Sequence, residues 1–171
     1  MIYVITGIMA SGKSTVAELL AQHFDKSVHI RGDIFRKMVV KGRAEMGKTL
    51  TEEALRQLDL RYRLAVETAI QYHQEGFTVV LQDNFYGEKL AYVVELLAPE
   101  PVQVIVLCPS VEAIRRRERE RGKTGYHSFS VESLYQSFME STPRIGLWID
   151  NSDQTPQETV NQILEHLVED E

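Results

Sequence analysis

The residues best suited to chemistry come early in the chain. Gly7-Ile8-Met9-Ala10-Ser11-Gly12-Lys13-Ser14-Thr15 meets the pattern G-x-x-x-x-G-K-S/T, that of a phosphate-cradling loop, at every position. Gly7 and Gly12 permit backbone angles that a side chain would block. The freed amides then converge with a helix N-terminus on one anion. Lys13 is expected to reach the terminal phosphates of a nucleoside triphosphate, and the Ser14 hydroxyl to ligate the accompanying Mg2+. The competing interpretation is an ordinary glycine turn between strand and helix, which motif and flanking strand and helix together disfavour.

Two carboxylates and a set of arginines could complete a transfer site. Asp33 follows the short run Val28-His29-Ile30. A carboxylate there can orient an acceptor hydroxyl and take its proton, or it can cap a helix starting at Ile34. Arg36, one helical turn on, is either a contact to substrate or transferred phosphate, or a solvated helix charge. Asp83 follows Thr78-Val79-Val80-Leu81-Gln82, a Walker-B-like placement. It would hold a water of the Mg2+ shell or touch substrate, unless it is a plain strand-end turn. Asn84, Phe85 and Tyr86 line an acceptor pocket or belong to the core. Arg115, Arg116, Arg117, Arg119 and Arg121 form the densest charge cluster. Glu118 and Glu120 interrupt it, which disfavours a nucleic-acid patch. Ordinary helix pairs such as Glu112 with Arg116 account for some of these charges. Alternatively the cluster is a lid whose arginines neutralise charge on a transferring phosphoryl group. Arg117 and Arg121 share one helix face, with Arg115 and Arg119 nearly opposite, so both pairs cannot serve one phosphate. His23, His29, His73, His127 and His166 show no metal-ligand spacing, and only His127 is placed to join a lid.

A scaffold must hold these groups at one place. The chain has 171 residues, long enough for one domain with a substantial core, and its 43% hydrophobic and 26% charged content is that of an ordinary globular enzyme. A net charge of −6 argues against broad binding to nucleic acid or anionic membrane. No apolar run approaches the roughly 18 residues of a membrane span. Cys108 is the one cysteine, so no intrachain disulfide forms, which suits the cytosol. The first residues read as a core strand without a charged leader, so no targeting signal is expected and a cytoplasmic location is.

Strand and helix signals alternate. Met1 to Thr6 reads as a strand buried on both faces, and Val16, Leu19, Leu20 and Phe24 recur at helical spacing after the loop. Val28 to Ile30 is a second strand, and a helix is plausible from Ile34 to Val40. Thr51 should cap a long helix with an apolar face of Leu55, Leu58, Tyr62, Ala65, Val66, Ala69 and Ile70, stopped by Gly76. Phe77 to Leu81, Val102 to Leu107 and Gly146 to Asp150 are three further strands. Helices at about 89–97, from Ser110 to Arg121, and around Val131 to Phe138 lie between them. Thr155-Pro156-Gln157-Glu158 is a capping box that launches the last helix. This alternation means a parallel α/β sheet covered on both sides. Right-handed crossovers then gather every strand's C-terminal end on one edge, where ligands bind.

In its order of motifs the chain resembles the small P-loop kinases, closest to the chloramphenicol phosphotransferase-like and zeta-toxin-like group. The matching residues are Gly7 to Thr15, Gly32-Asp33-x-x-Arg36, the arginine-rich helix after Cys108-Pro109-Ser110, and Trp148-Ile149-Asp150-Asn151-Ser152 leading to Thr155-Pro156-x-Glu158. The resemblance implies a single-domain P-loop NTPase fold with five parallel strands in the order 2-3-1-4-5. It also implies ATP as phosphoryl donor with Mg2+, and a small-molecule hydroxyl acceptor. By the same likeness Asp33 is the catalytic carboxylate, and Arg117 and Arg121, spaced R-x-x-x-R before a Gly-rich loop, are the lid pair. The lid is expected at about 115–129 and an acceptor-binding insert at about 34–50. The adenine falls near Ser152 to Pro156, and guanine is disfavoured because no Asn-Lys-x-Asp signature follows strand four. Two other classes stay open: a nucleotide-dependent regulatory ATPase or switch, and a catalytically silent ATP-binding protein. The expected oligomeric state is undefined.

Overall fold

The structure, a computed structural model, describes residues 1–122 and 130–169. Within them the elements run β1 (Ile2–Gly7), α1 (Lys13–Gln22), β2 (Ser27–Arg31), α2 (Asp33–Lys37), α3 (Glu52–Gln74), β3 (Thr78–Gln82), α4 (Glu88–Leu97), β4 (Val102–Leu107), α5 (Val111–Arg121), α6 (Val131–Ser141), β5 (Leu147–Ile149) and α7 (Pro156–Glu169). The strands pair in parallel in the order β2-β3-β1-β4-β5, as expected. The fold is a single-domain α/β arrangement.

The central strands are mostly apolar because each serves two cores. In β1, Ile2 and Val4 enter one core while Tyr3 and Ile5 enter the other. β4 repeats this with Val104 and Val106 against Ile105 and Leu107. Alternation by two places successive side chains on opposite faces. The first core is closed by Tyr62, Ala65 and Val66 of α3 with Leu90 and Leu97 of α4. The second is closed by Val16, Ala17 and Leu20 of α1 with Val160 and Ile163 of α7. No helix of the described residues is long and apolar enough to cross a membrane.

Helix ends follow the local chemistry. Thr51 accepts from the Ala54 amide at 3.1 Å and Ser110 from the Ala113 amide at 3.2 Å. In the capping box the Thr155 amide donates to Glu158 at 2.7 Å and the Glu158 amide to Thr155 at 3.2 Å. Gly76 ends α3 at φ 82°, where its missing Cβ removes the usual penalty.

Three expectations are corrected. The helix expected from Ile34 to Val40 is α2, which starts at Asp33 and stops at Lys37, with Gly32 at the N-cap. Asp33 is therefore inside the first turn and not the cap. Leu55 is 44% exposed; Ala54, one residue and about 100° round the helix, takes the inward position instead. β5 is shorter than Gly146 to Asp150, spanning Leu147–Ile149. Of the expected lid, α5 carries 115–121, while positions 123–129, with His127, lie outside the described residues.

Candidate active site

β1 runs into the loop at Gly7, where any Cβ would lie 2.6 Å from both the Leu107 carbonyl oxygen and Ser11 Oγ. Only glycine fits between β4 and the turn. Ala10 sits at φ 62°, in a region non-glycine residues seldom occupy and which clusters at functional sites. Gly12 precedes α1 without any side-chain cap, so the first amides of a ten-residue helix face outward with the positive end of its dipole. Lys13 Nζ donates to the Ile8 carbonyl at 3.2 Å, folding the side chain back over the loop. Burial pushes its pKa down to about 8, and the charge of Asp83 offsets part of that. Ser14 is exposed and its hydroxyl donates to Gln82 Oε1 at 3.1 Å. Ser11 Oγ is buried without a hydrogen-bond partner. Uncapped amides, one cation and the Ser14 hydroxyl fit a polyphosphate. The paired oxygens of Ser14 and Gln82 suit a hard divalent cation.

Across the cleft lie the carboxylates. Asp83 is 3% exposed, and both its oxygens accept from Arg61, Oδ2 from Nε at 2.7 Å and Oδ1 from a terminal nitrogen. The carboxylate packs on Gly32, where any Cβ would overlap it. Asp33 accepts from Arg36 Nε at 2.9 Å and pairs with Lys37 Nζ at 2.8 Å, while Arg61 stands 3.7 Å away. Partial burial opposes ionisation of Asp33. The hydrogen bonds from Arg36 and Lys37 and the charges of Arg36 and Arg61 outweigh it, bringing the pKa to about 2. Thr6 Oγ1 holds the segment after β3 in place, accepting from the Phe85 amide at 3.0 Å and donating to the Phe85 carbonyl at 3.2 Å.

Arg117 donates to the Ser11 carbonyl at 3.2 Å and the Asn151 carbonyl at 2.5 Å, while Asn151 Nδ2 reaches the Ser11 carbonyl at 2.9 Å. α5 is thus tied to the loop and to the segment after β5. Arg116 donates to the Ser152 carbonyl at 2.8 Å and Arg115 pairs with Glu132 of α6. Arg115 and Arg117, on different faces of α5, thus reach different partners.

These groups enclose a cavity of about 750 Å3 whose lining includes Met9, Ala10, Gly12, Lys13, Ser14, Thr15, Asp33, Arg36, Asp83, Arg117 and Arg121. Gly7, Ile8 and Ser11 are buried behind the loop and shape it from within. Asn151, Gln154 and Pro156 form part of the wall. A second cavity of about 900 Å3 adjoins the first, sharing Met9, Asp33, Arg36, Arg61 and Asn84 with it and extending under residues 38–50.

Sequence reasoning missed Arg61 and Gln82. Arg61 carried a signal: it lies on the core-facing stripe of α3, three residues after Leu58 and four before Ala65, where a charge requires a buried partner. Gln82 carried none, because a strand-end glutamine gains meaning only once Ser14 is seen beside it.

A family model described as an AAA domain matches residues 2–140. No curated protein sequence matches the chain significantly. Solved structures share the fold at low identity. A gluconokinase from Sinorhizobium meliloti 1021 superposes with a TM-score of 0.68 at 21% identity, over 98% of this chain and 91% of that one. The tunicamycin resistance protein of Deinococcus radiodurans gives 0.71 at 13% identity, over 97% and 94%. A shikimate kinase from Acinetobacter baumannii, solved with shikimate, gives 0.67 at 17% identity, over 99% and 93%.

Proposed function

The chain belongs to the AAA domain family, and from that premise we propose that it is an ATP-dependent phosphotransferase acting on a hydroxyl of a small molecule. One observation carries this reading: Asp33 lines both cavities, with the phosphate loop on one side and a separate chamber on the other. A hydrolase needs room only for water at that point. The low identities leave the named acceptors of the similar structures as properties of those proteins. The likeness to the chloramphenicol phosphotransferase-like and zeta-toxin-like group, drawn from Asp33, Arg36 and the arginine helix, belongs to this proposal.

The loop amides and Lys13 hold the β- and γ-phosphates, and the adenine lies against Asn151, Gln154 and Pro156. Ser14 and Gln82 would hold Mg2+, which when bound supplies charge neutralisation at the phosphate oxygens. Asp33, ionised throughout the working pH range, accepts a hydrogen bond from the acceptor hydroxyl and aims its oxygen at the γ-phosphorus. As the new oxygen–phosphorus bond forms and the bond to the β–γ bridging oxygen breaks, the hydroxyl proton passes to Asp33 and then to solvent. A carboxylate with a pKa near 2 is a weak base, so positioning outweighs proton removal until late in the transfer. Arg121, and Arg117 behind it, offset charge on the transferring group. Arg36 and the Arg61–Asp83 pair fix the acceptor side. The remainder of the expected lid and the insert at about 34–50 enter the proposal as cover for donor and acceptor.

The test is labelled-phosphate transfer from ATP to a panel of hydroxyl compounds by the wild type and by Asp33→Asn. Transfer should fall roughly 10²–10⁴-fold in the variant, with ATP affinity and slow background hydrolysis nearly unchanged. Equal transfer by both proteins would remove Asp33 from the chemistry. ATP consumption with no acceptor phosphorylated would favour a regulatory ATPase.

A further inference from the structure

The second cavity differs in chemistry from the first. Its walls are largely thioether and aliphatic, with Met38, Met46 and Leu50 from the insert facing Leu58, Leu60 and Leu64 of α3. Met38 is 67% exposed, Met46 45% and Leu50 56%, so the chamber opens to water through apolar side chains. Isolated exposed apolar residues are ordinary, but a concave set of them joined to a polar site marks a ligand pocket. Its volume of about 900 Å3 lies within the roughly 300–1,000 Å3 of small-molecule sites.

Its charges are already spent. Arg36 donates to Asp33 at 2.9 Å and to both oxygens of Glu45 at 2.7 and 2.8 Å. Arg61 is committed to Asp83. Among the described lining residues neither arginine stands without a carboxylate partner, and Asp33 and Glu45 balance what charge there is. A carboxylate or phosphate on the acceptor would have to displace one of these pairs and face the freed acid. A hydroxyl needs only to donate to Asp33.

Resting on the phosphotransferase reading, we infer that this chamber takes an uncharged amphipathic alcohol, its hydroxyl presented at Asp33 and an alkyl or aryl body among Met38, Met46, Leu50, Leu58 and Leu64. The reaction is then balanced as alcohol plus ATP giving phosphomonoester, ADP and one proton. Methionine suits such a pocket because its unbranched thioether repacks around bodies of different outline. The structure therefore assigns acceptor selection to apolar size and shape, with anionic sugars, sugar acids and polynucleotide ends excluded by the paired arginines.

The experiment uses the full chain with Mg·ATP and the vicinal diols of butane, hexane and octane, beside shikimate, gluconate and a 5′-hydroxyl oligonucleotide. Transfer is read with labelled phosphate and diol binding by calorimetry in the presence of ADP. kcat/KM should rise about fourfold for each methylene buried, and the three anionic acceptors should fall below octanediol. Leu50→Asp, at an exposed loop position where folding is not at stake, should flatten the dependence on chain length. Preferred transfer to an anionic acceptor, with a flat diol series, would overturn the inference and leave the kinase standing. Saturable octanediol binding lost in Leu50→Asp, with no transfer to anything, would keep the amphipathic pocket and overturn the kinase. Absence of both binding and transfer for every diol would overturn the inference.

Discussion

Arg61 grips both carboxylate oxygens of Asp83 from beneath the cleft, with the acid 3% and the arginine side chain 12% exposed. Arg61 lines both cavities while Asp83 lines only the one at the glycine loop, and the Arg61 guanidinium reaches toward Asp33 at 3.7 Å. Removing one partner of such a pair strands a buried charge, whereas the intact pair adds little net stability.

Arg61→Met should therefore cost about 3–5 kcal/mol of unfolding free energy, measured by urea denaturation at neutral pH. Adding Asp83→Asn to it should restore more than half, because the stranded charge is gone. A single variant as stable as the wild type would mean that Asp83 is hydrated and that the pair is not closed in solution.

The pKa of Lys13 predicts a pH limit on ATP binding. Burial lowers it from 10.5 to about 8, so the free protein carries the ammonium below that pH and loses it above. ATP affinity should be flat up to about pH 7.5 and weaken by up to tenfold per pH unit beyond 8, read by calorimetry. Affinity that stays constant to about pH 9.5 would show the lysine still charged there. Lys13→Ala should abolish the titration together with most of the affinity.

Asp33 predicts the opposite end of the profile. With a folded pKa of about 2, it remains ionised from weakly acid to neutral pH, so phosphoryl transfer should show no acid limb from Asp33 above about pH 4. The arginine and lysine partners set this behaviour. Arg36→Met removes the hydrogen bond first among those that lower the pKa, and should bring an acid limb toward ordinary carboxylate values near 4. A wild-type limb near pH 6 that disappears in Asp33→Asn would contradict the pairing.

The two arginines proposed to offset charge on the transferring group should separate kinetically. Arg121 lines the phosphate cavity, whereas Arg117 is bonded to the Ser11 and Asn151 carbonyls. Arg121→Ala should lower turnover by roughly 10³–10⁵ with KM for ATP little changed, the range for an arginine that stabilises transferring phosphate. Arg117→Ala should act chiefly on KM by loosening the loop. The reverse pattern would exchange their roles.

Much of this was legible without coordinates, for local reasons. The glycine loop, the capping box at Thr155 and the alternation of strands with helices are written in consecutive residues. Each depends on backbone geometry that its own residue types favour. The sheet order came from the resemblance to the small P-loop kinases, and the structure has it. Leu55 was misplaced because an apolar stripe fixes a helix face only to within about one residue's rotation. Ala54 took the buried position at the start of α3, where it lines the second cavity.

The sequence by itself determined the fold class, the glycine loop and the edge that Asp33 and Asp83 share, because strand-end positions are consequences of topology; Arg117 and Arg121 were singled out by the family resemblance. Only the tertiary structure decided what those groups are bonded to. It paired Asp83 with Arg61 across 22 residues and Ser14 with Gln82 across 68, and joined Met38 and Leu50 to α3 as one apolar wall. Such contacts join residues distant in the chain, and electrostatic pairing selects a partner by proximity in space, which no spacing along the chain encodes.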